Sequence, residues 1–155
     1  MFERVSADER AGMEALARRV RGELAAAGLP VPAPGLSPVL AGGAEVVADD
    51  GADMAGGVFA SWSASPRLDA CTSRAFRLRR LDDPLLRHSA EIKAAMMRAI
   101  AAILTSAGFT VQDANDDYRP YALRVVDGPA PGVPPIWSLR HEEVTMAGQE
   151  AGDPE

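Results

Sequence analysis

The sequence predicts an α+β fold, a two-layer arrangement with helices packed on one face of a mostly antiparallel sheet. Apolar residues recur at helical spacing in three segments, and residues alternate with period two in two pairs of short segments. The expected order is α-β-β-α-α-β-β, because helices with one apolar stripe need a sheet face to cover it. At 155 residues we expect one domain over residues 1–147 and a disordered tail at 148–155.

The first predicted helix begins at a capping box formed by Ser6 and Glu9, whose side chains can each accept a hydrogen bond from the other's backbone N–H. Its apolar face carries Met13, Leu16, Val20 and Leu24. Gly28 is expected to end it. Residues 28–43 then contain four prolines and four glycines, which predicts an irregular crossing over the domain.

Two strands are predicted next, at 44–48 and 57–63, with Val58, Ala60 and Trp62 on one face. Ser65 followed by Pro66 then predicts the start of a second helix. Alternation at 74–79 supports a competing strand, and both interpretations stay open, with the helix favoured. In the helical interpretation Cys71 lies on the apolar stripe and is expected to be buried.

The clearest helical signal begins at Asp82 or Asp83, either of which can cap a helix that has Pro84 at its first position. Its predicted core stripe consists of Ile92, Met96, Ile100 and Ile103, while Met97 is assigned to a surface. After Gly108 the period changes to two, which predicts a β-hairpin with strands at 109–112 and 121–126. A second proline-rich crossing follows at 128–135, and Trp137 is expected to dock on the body.

Composition limits the classes of function. The net charge of −6 argues against non-specific binding to nucleic acid or to an anionic membrane. A single cysteine excludes an internal disulfide framework, and no apolar run is long enough to span a bilayer. We therefore expect a cytoplasmic protein. Fifteen of the sixteen basic residues are arginine and only Lys93 is lysine, which is typical of a GC-rich bacterial genome.

The acidic turn between the last two strands is one candidate site. Carboxylate and carbonyl oxygens are the ligands of hard cations, so this turn could hold a small polar ligand or a divalent cation. The candidate ligand-binding residues are Asp113, Asn115, Asp116, Asp117, Tyr118 and Arg119. The match to an EF-hand loop fails because Tyr118 stands where glycine is needed, so no metal site is assigned. Turns also favour Asp and Asn for local backbone bonding, which is the alternative explanation.

A run of arginines supplies the second candidate, an interaction surface at Arg74, Arg77 and Arg80 together with Trp137. Arginine forms bidentate pairs with carboxylates and phosphates, which predicts binding of a phosphate or of an acidic partner. A solvated helix face paired with nearby carboxylates is the alternative. No nucleophile elbow, phosphate loop or cofactor motif is present, so no catalytic residue and no cofactor are assigned, and enzymatic activity is left open.

These observations favour a non-enzymatic protein-interaction module that acts as a homodimer. The order of elements is similar, at the level of fold, to the small acidic chaperones of bacterial secretion systems, which have a leading helix, strands, a long helix, a hairpin and a closing helix. The two proline-rich crossings depart from that pattern. The alternative hypothesis is a small-ligand or divalent-cation binder, or an enzyme, that uses the acidic turn at 113–119.

Overall fold

A computed structural model of the chain describes residues 6–33, 41–49, 56–114 and 121–138. These residues form three helices and four strands in the predicted order α-β-β-α-α-β-β, with helices packed against an antiparallel sheet, which confirms the predicted fold class. The helices are α1 (Ala7–Ala26), α2 (Pro66–Arg77) and α3 (Pro84–Ser106). The strands are β1 (Gly43–Asp49), β2 (Gly57–Ser63), β3 (Thr110–Asp113) and β4 (Leu123–Asp127). The tail predicted at 148–155 lies outside the described residues.

Each helix begins at the side-chain cap that the sequence predicts. At α1 the Glu9 N–H donates to Ser6 Oγ at 3.3 Å and the Ser6 N–H donates to Glu9 Oε2 at 3.0 Å, which completes the capping box. Ser65 caps α2 by accepting from the Leu68 N–H at 3.2 Å, and Asp83 caps α3 by accepting from the Leu85 N–H at 3.0 Å. Residues 66–77 are therefore helical, and the competing strand at 74–79 is wrong.

The sheet has the strand order β1-β2-β4-β3, and every neighbouring pair is antiparallel. Pairing of β2 with β4 joins the two predicted hairpins into one sheet, and Ala60 lies between Val46 on β1 and Leu123 on β4. The alternation predicted for β2 is confirmed, since Val58 and Ala60 are buried in the core and Trp62 packs against it.

The core lies between this sheet and two helices, α1 and α3. The fully buried large side chains are Leu24, Ile100, Leu104, Val20 and Val58. On α3 the predicted stripe is only partly correct: Ile100 is buried and Ile103 packs against the core, but Ile92 and Met96 are only half-buried. Met97 packs against the core instead of Met96, so the covered face is rotated by about one residue.

Helix α2 packs against α3 and contributes little to the core. Ala75 is its only buried residue, because the helix lies on the outer side of α3. The prediction that Cys71 is buried is wrong for this reason, since the cysteine is exposed.

Hydrogen bonds to β1 and α1 hold two segments outside the regular elements, and α1 also bonds directly to β1. The Arg21 guanidinium donates to the Val46 carbonyl at 2.8 Å, and the Ala44 N–H donates to the Pro30 carbonyl at 2.8 Å. These bonds occupy polar backbone groups on the outer edge of β1. The C-terminal segment docks as expected, because the Trp137 Nε1–H donates to Glu23 Oε2 at 3.0 Å.

None of the described helices is both long enough and apolar enough to cross a membrane.

Truncation at the centre of the core tests this arrangement. Leu104→Ala removes a fully buried side chain where α3 meets the core, and we expect it to lower the free energy of unfolding by about 2–5 kcal/mol. The exposed neighbour Thr105→Ala is the control and should change it by less than about 0.5 kcal/mol. Urea denaturation of both variants measures the difference, and equal effects would contradict the burial of Leu104.

Candidate functional site

The predicted acidic turn is described only at its flank. Asp113 ends β3 and is exposed, while Asn115, Asp116, Asp117, Tyr118 and Arg119 lie outside the described residues. Asp49, the first of three aspartates at 49–53 in the sequence, ends β1. Because β1 and β3 are the two edge strands and run in opposite directions, Asp49 and Asp113 lie at opposite corners of the sheet. Over residues 6–33, 41–49, 56–114 and 121–138, no three His, Cys, Asp or Glu side chains are grouped to hold a metal ion.

The predicted arginine surface is found at the C-terminal end of α2 and in the turn that follows it. Between residues 67 and 80 there are five arginines and one acidic residue, a local net charge of +4 in a chain of net charge −6. All five arginines are exposed. Within the described part of the chain, none of the five has a carboxylate at salt-bridge distance. The ion pair found on α3 joins Arg87 to Glu91 at 3.8 Å and involves none of these five arginines. Pairing with nearby carboxylates therefore does not account for these five arginines.

Exposed apolar side chains alternate with these arginines. Phe76 is 59%, Leu78 50% and Leu81 70% exposed. We define the α2 terminal surface as Arg74, Phe76, Arg77, Leu78, Arg79, Arg80 and Leu81. Exposed large apolar side chains bordered by charged ones can mark a protein-binding site.

The backbone at the end of α2 is strained. The Arg79 N–H donates to the Phe76 carbonyl and the Arg80 N–H donates to the Ala75 carbonyl, which is the Schellman motif that ends many helices. This motif needs a left-handed residue, and Arg79 has φ = 54°. Helices α1 and α3 end in the same motif with Gly28 and Gly108 in that position, at φ = 92° and 94°. Only α2 places a side chain there, at a cost of roughly 1–2 kcal/mol.

A cleft of about 620 Å³ lies between α2, α3 and the end of the β3–β4 hairpin. Thr72 and Phe76 line it from α2, and Asp113 and Tyr121 from the hairpin. Helix α3 contributes Leu86, Ser89, Ala90, Lys93, Ala94 and Met97. Asp113, the predicted ligand-binding residue that the structure describes, therefore lines a cavity. Met97, which was assigned to a surface from the sequence, lines the cleft and also packs against the core.

Lys93 is the basic residue of this cleft. Its Nζ lies 5.0 Å from the centroid of the Tyr121 ring, within the range of a cation–π contact. Ser89 and Lys93, one helical turn apart, also border a second cavity of about 160 Å³ that is lined by Trp62 and Asp69. The sequence did carry a signal for this position, since Lys93 is the one lysine in a chain whose other basic residues are all arginine.

Trp137, the fourth predicted interaction residue, lies away from α2, on the C-terminal segment against α1. It is 58% exposed and its neighbour Ile136 is 81% exposed. A cavity of about 300 Å³ separates this segment from α1 and Phe109. The structure therefore places Trp137 on a different element from Arg74, Arg77 and Arg80.

Relief of the strain at Arg79 gives a measurable stability change. Arg79→Gly should raise the free energy of unfolding by up to about 1 kcal/mol. Glycine adopts the left-handed conformation without steric cost, and the greater entropy of the unfolded glycine variant offsets part of this gain. Gly28→Arg is the matched reverse variant, since Gly28 has the same role in α1 and open space around it, and it should lose about 1–2 kcal/mol. Thermal and urea denaturation measure both. Destabilisation by Arg79→Gly would mean that folding itself needs the arginine side chain.

No family model, no curated protein and no solved structure matches this chain.

Proposed function

We propose that this chain is a non-enzymatic protein-interaction module that binds an acidic segment of a partner protein through the α2 terminal surface. The observation that carries the proposal is the alternation of exposed arginines, unpaired within the described residues, with the exposed side chains of Phe76, Leu78 and Leu81. Arginine pairs with carboxylates in a bidentate geometry, and both arginine and aromatic residues are enriched at interfaces.

The strain at Arg79 supports the same proposal. A helix end of this type is formed without strain by glycine, as at Gly28 and Gly108. Strained backbone that persists in a protein is concentrated at functional sites. We therefore infer that an arginine occupies this left-handed position because its side chain contributes to binding.

An acidic protein segment suits this surface better than nucleic acid does. The chain carries a net charge of −6, and Asp69, Asp82 and Asp83 flank the arginines. Such charges oppose a long polyanion but tolerate a short acidic segment, whose apolar residues can cover Leu78 and Leu81. Binding of DNA is accordingly an outcome that would count against the proposal.

A homodimer is the second candidate, favoured by the exposure of Ile136 and Trp137 on the C-terminal segment. Pairing of two β1 edges is a poor route to it, because Arg21 and Pro30 occupy the β1 edge at Val46 and Ala44. Such a dimer would suit the chaperone-like role that the order of elements suggests. Light scattering at micromolar concentration tests it: a monomer rules the dimer out, and loss of a dimer in Trp137→Ser supports this interface.

Charge reversal on the α2 terminal surface tests the main proposal. A fluorescein-labelled peptide with Glu residues on one helical face and Leu residues at i, i+3, i+4 and i+7 on the other serves as the probe. We expect the triple variant Arg74→Glu, Arg77→Glu, Arg80→Glu to bind it roughly 3- to 150-fold more weakly, since three exposed pairs together contribute about 0.6–3 kcal/mol. Fluorescence anisotropy at two salt concentrations measures the affinity.

The controls separate specific binding from net charge. Arg18→Glu combined with Arg98→Glu changes charges at exposed positions on α1 and α3 and should leave the affinity within about twofold of the parent at 0.15 M salt. A peptide with Lys in place of Glu should bind more weakly than the acidic peptide. Equal affinity for the two peptides, equal losses in the two sets of variants, or tighter binding of a DNA duplex than of the acidic peptide would each refute the proposal.

A further inference from the structure

The cleft between α2, α3 and the β3–β4 hairpin points to a second kind of binding. We propose that it is a site for a small organic acid, a molecule with an apolar body and one carboxylate, and that Lys93 binds the carboxylate. This site is distinct from the surface proposed above for the protein partner, because the ligand would lie in the cleft whereas the arginines of the α2 terminal surface face solvent; Phe76 borders both.

The size and lining of the cleft fit a small molecule. Ligand pockets usually have volumes of roughly 300–1,000 Å³ and are lined mainly by apolar side chains with a few polar groups. This cleft has about 620 Å³ and is lined by Phe76, Leu86, Met97 and Leu123 together with several alanines. Met97 adds a side chain that adapts readily to different apolar shapes.

Lys93 gives the cleft a group that can bind an anion. Lys93 is half-buried, and no carboxylate of the described residues lies within salt-bridge distance of its ammonium group. Its contact with the Tyr121 ring, 5.0 Å from the centroid, is a cation–π contact that leaves the three N–H donors of the ammonium group without a carboxylate acceptor among the described residues. A ligand carboxylate would supply the missing partner, and the Ser89 side chain, one turn earlier on the same helix wall, can donate a second hydrogen bond.

The opposite wall limits the ligand to a single negative charge. Asp113, at the end of β3, lines the cleft from the hairpin side. Its carboxylate would repel a second charge, so a carboxylic acid fits better than a phosphate monoester, which carries nearly two charges at neutral pH. The apolar body would then extend from Lys93 along Phe76, Leu86 and Met97.

The single lysine makes the site directly observable. An amine-acetylating reagent has one side-chain target in this chain, Lys93, and the terminal amine serves as an internal reference. We expect decanoate, used below its micellar concentration, to slow acetylation of Lys93 by at least about tenfold at saturation without changing the terminal amine, as measured by mass spectrometry. Decylammonium, with the same chain and the opposite charge, should give no protection.

Three variants test the assignments, with decanoate affinity measured by titration calorimetry. Lys93→Met should weaken decanoate at least about tenfold, the usual loss for one charge-assisted hydrogen bond, whereas Arg98→Met on the same helix should not. Ala94→Trp should block the cleft, whereas Ala95→Trp, at an exposed position that does not line it, should not. Asp113→Asn should improve binding of decyl phosphate more than binding of decanoate.

The proposal is overturned if decylammonium protects Lys93 as well as decanoate does, if Lys93→Met or Ala94→Trp binds decanoate as tightly as the parent chain, or if no probe binds. An equal effect of Asp113→Asn on both anions overturns the preference for a single charge. Binding of the acidic peptide to the α2 terminal surface is measured separately, so failure here would leave that proposal standing.

Discussion

The arrangement of this protein depends on the burial of one sheet face by two helices. Leu24 and Val20 of α1 and Ile100 and Leu104 of α3 fill the layer above the sheet, with no solvent exposure. A four-stranded sheet with spacings of about 4.8 Å between strands is roughly as wide as two packed helices. The third helix therefore has no place on the sheet, and α2 packs on the outer side of α3.

The position of α2 explains both candidate sites. A helix that buries only Ala75 leaves most of its surface to solvent, so arginines and Phe76 can be displayed there without disturbing the core. The same displacement leaves a space between α2 and the β3–β4 hairpin, because α3 alone bridges them, and this space is the cleft. A twelve-residue helix is marginal on its own in water, so the Ser65 cap and the packing on α3 are what hold it in place.

Local chemistry made much of the fold predictable. The capping box at Ser6, the prolines at 66 and 84 and the glycines at 28 and 108 fix the helix ends through nearest-neighbour interactions, and the alternation in β2 sets its core face. The pairing of β2 with β4 could not be inferred in the same way, because it joins residues about 65 positions apart in the chain. Nor could the exposure of Cys71, which follows from where α2 lies and not from its apolar stripe.

For the sites, the arginine run was visible in the sequence, but the cleft was not, since Lys93, Asp113 and Tyr121 are brought together only by tertiary packing.

Phe76 connects the two sites physically. Phe76 lines the cleft, and the residue is 59% exposed and belongs to the α2 terminal surface. A group held in the cleft and a group bound outside would therefore both contact the same ring. If the two require different positions of that ring, each must weaken the other by the same factor, since coupling between binding free energies is reciprocal. If both favour one position, binding of each must strengthen binding of the other. Helix α2 suits either response, because it is held mainly by α3 and little of the core would have to move with it.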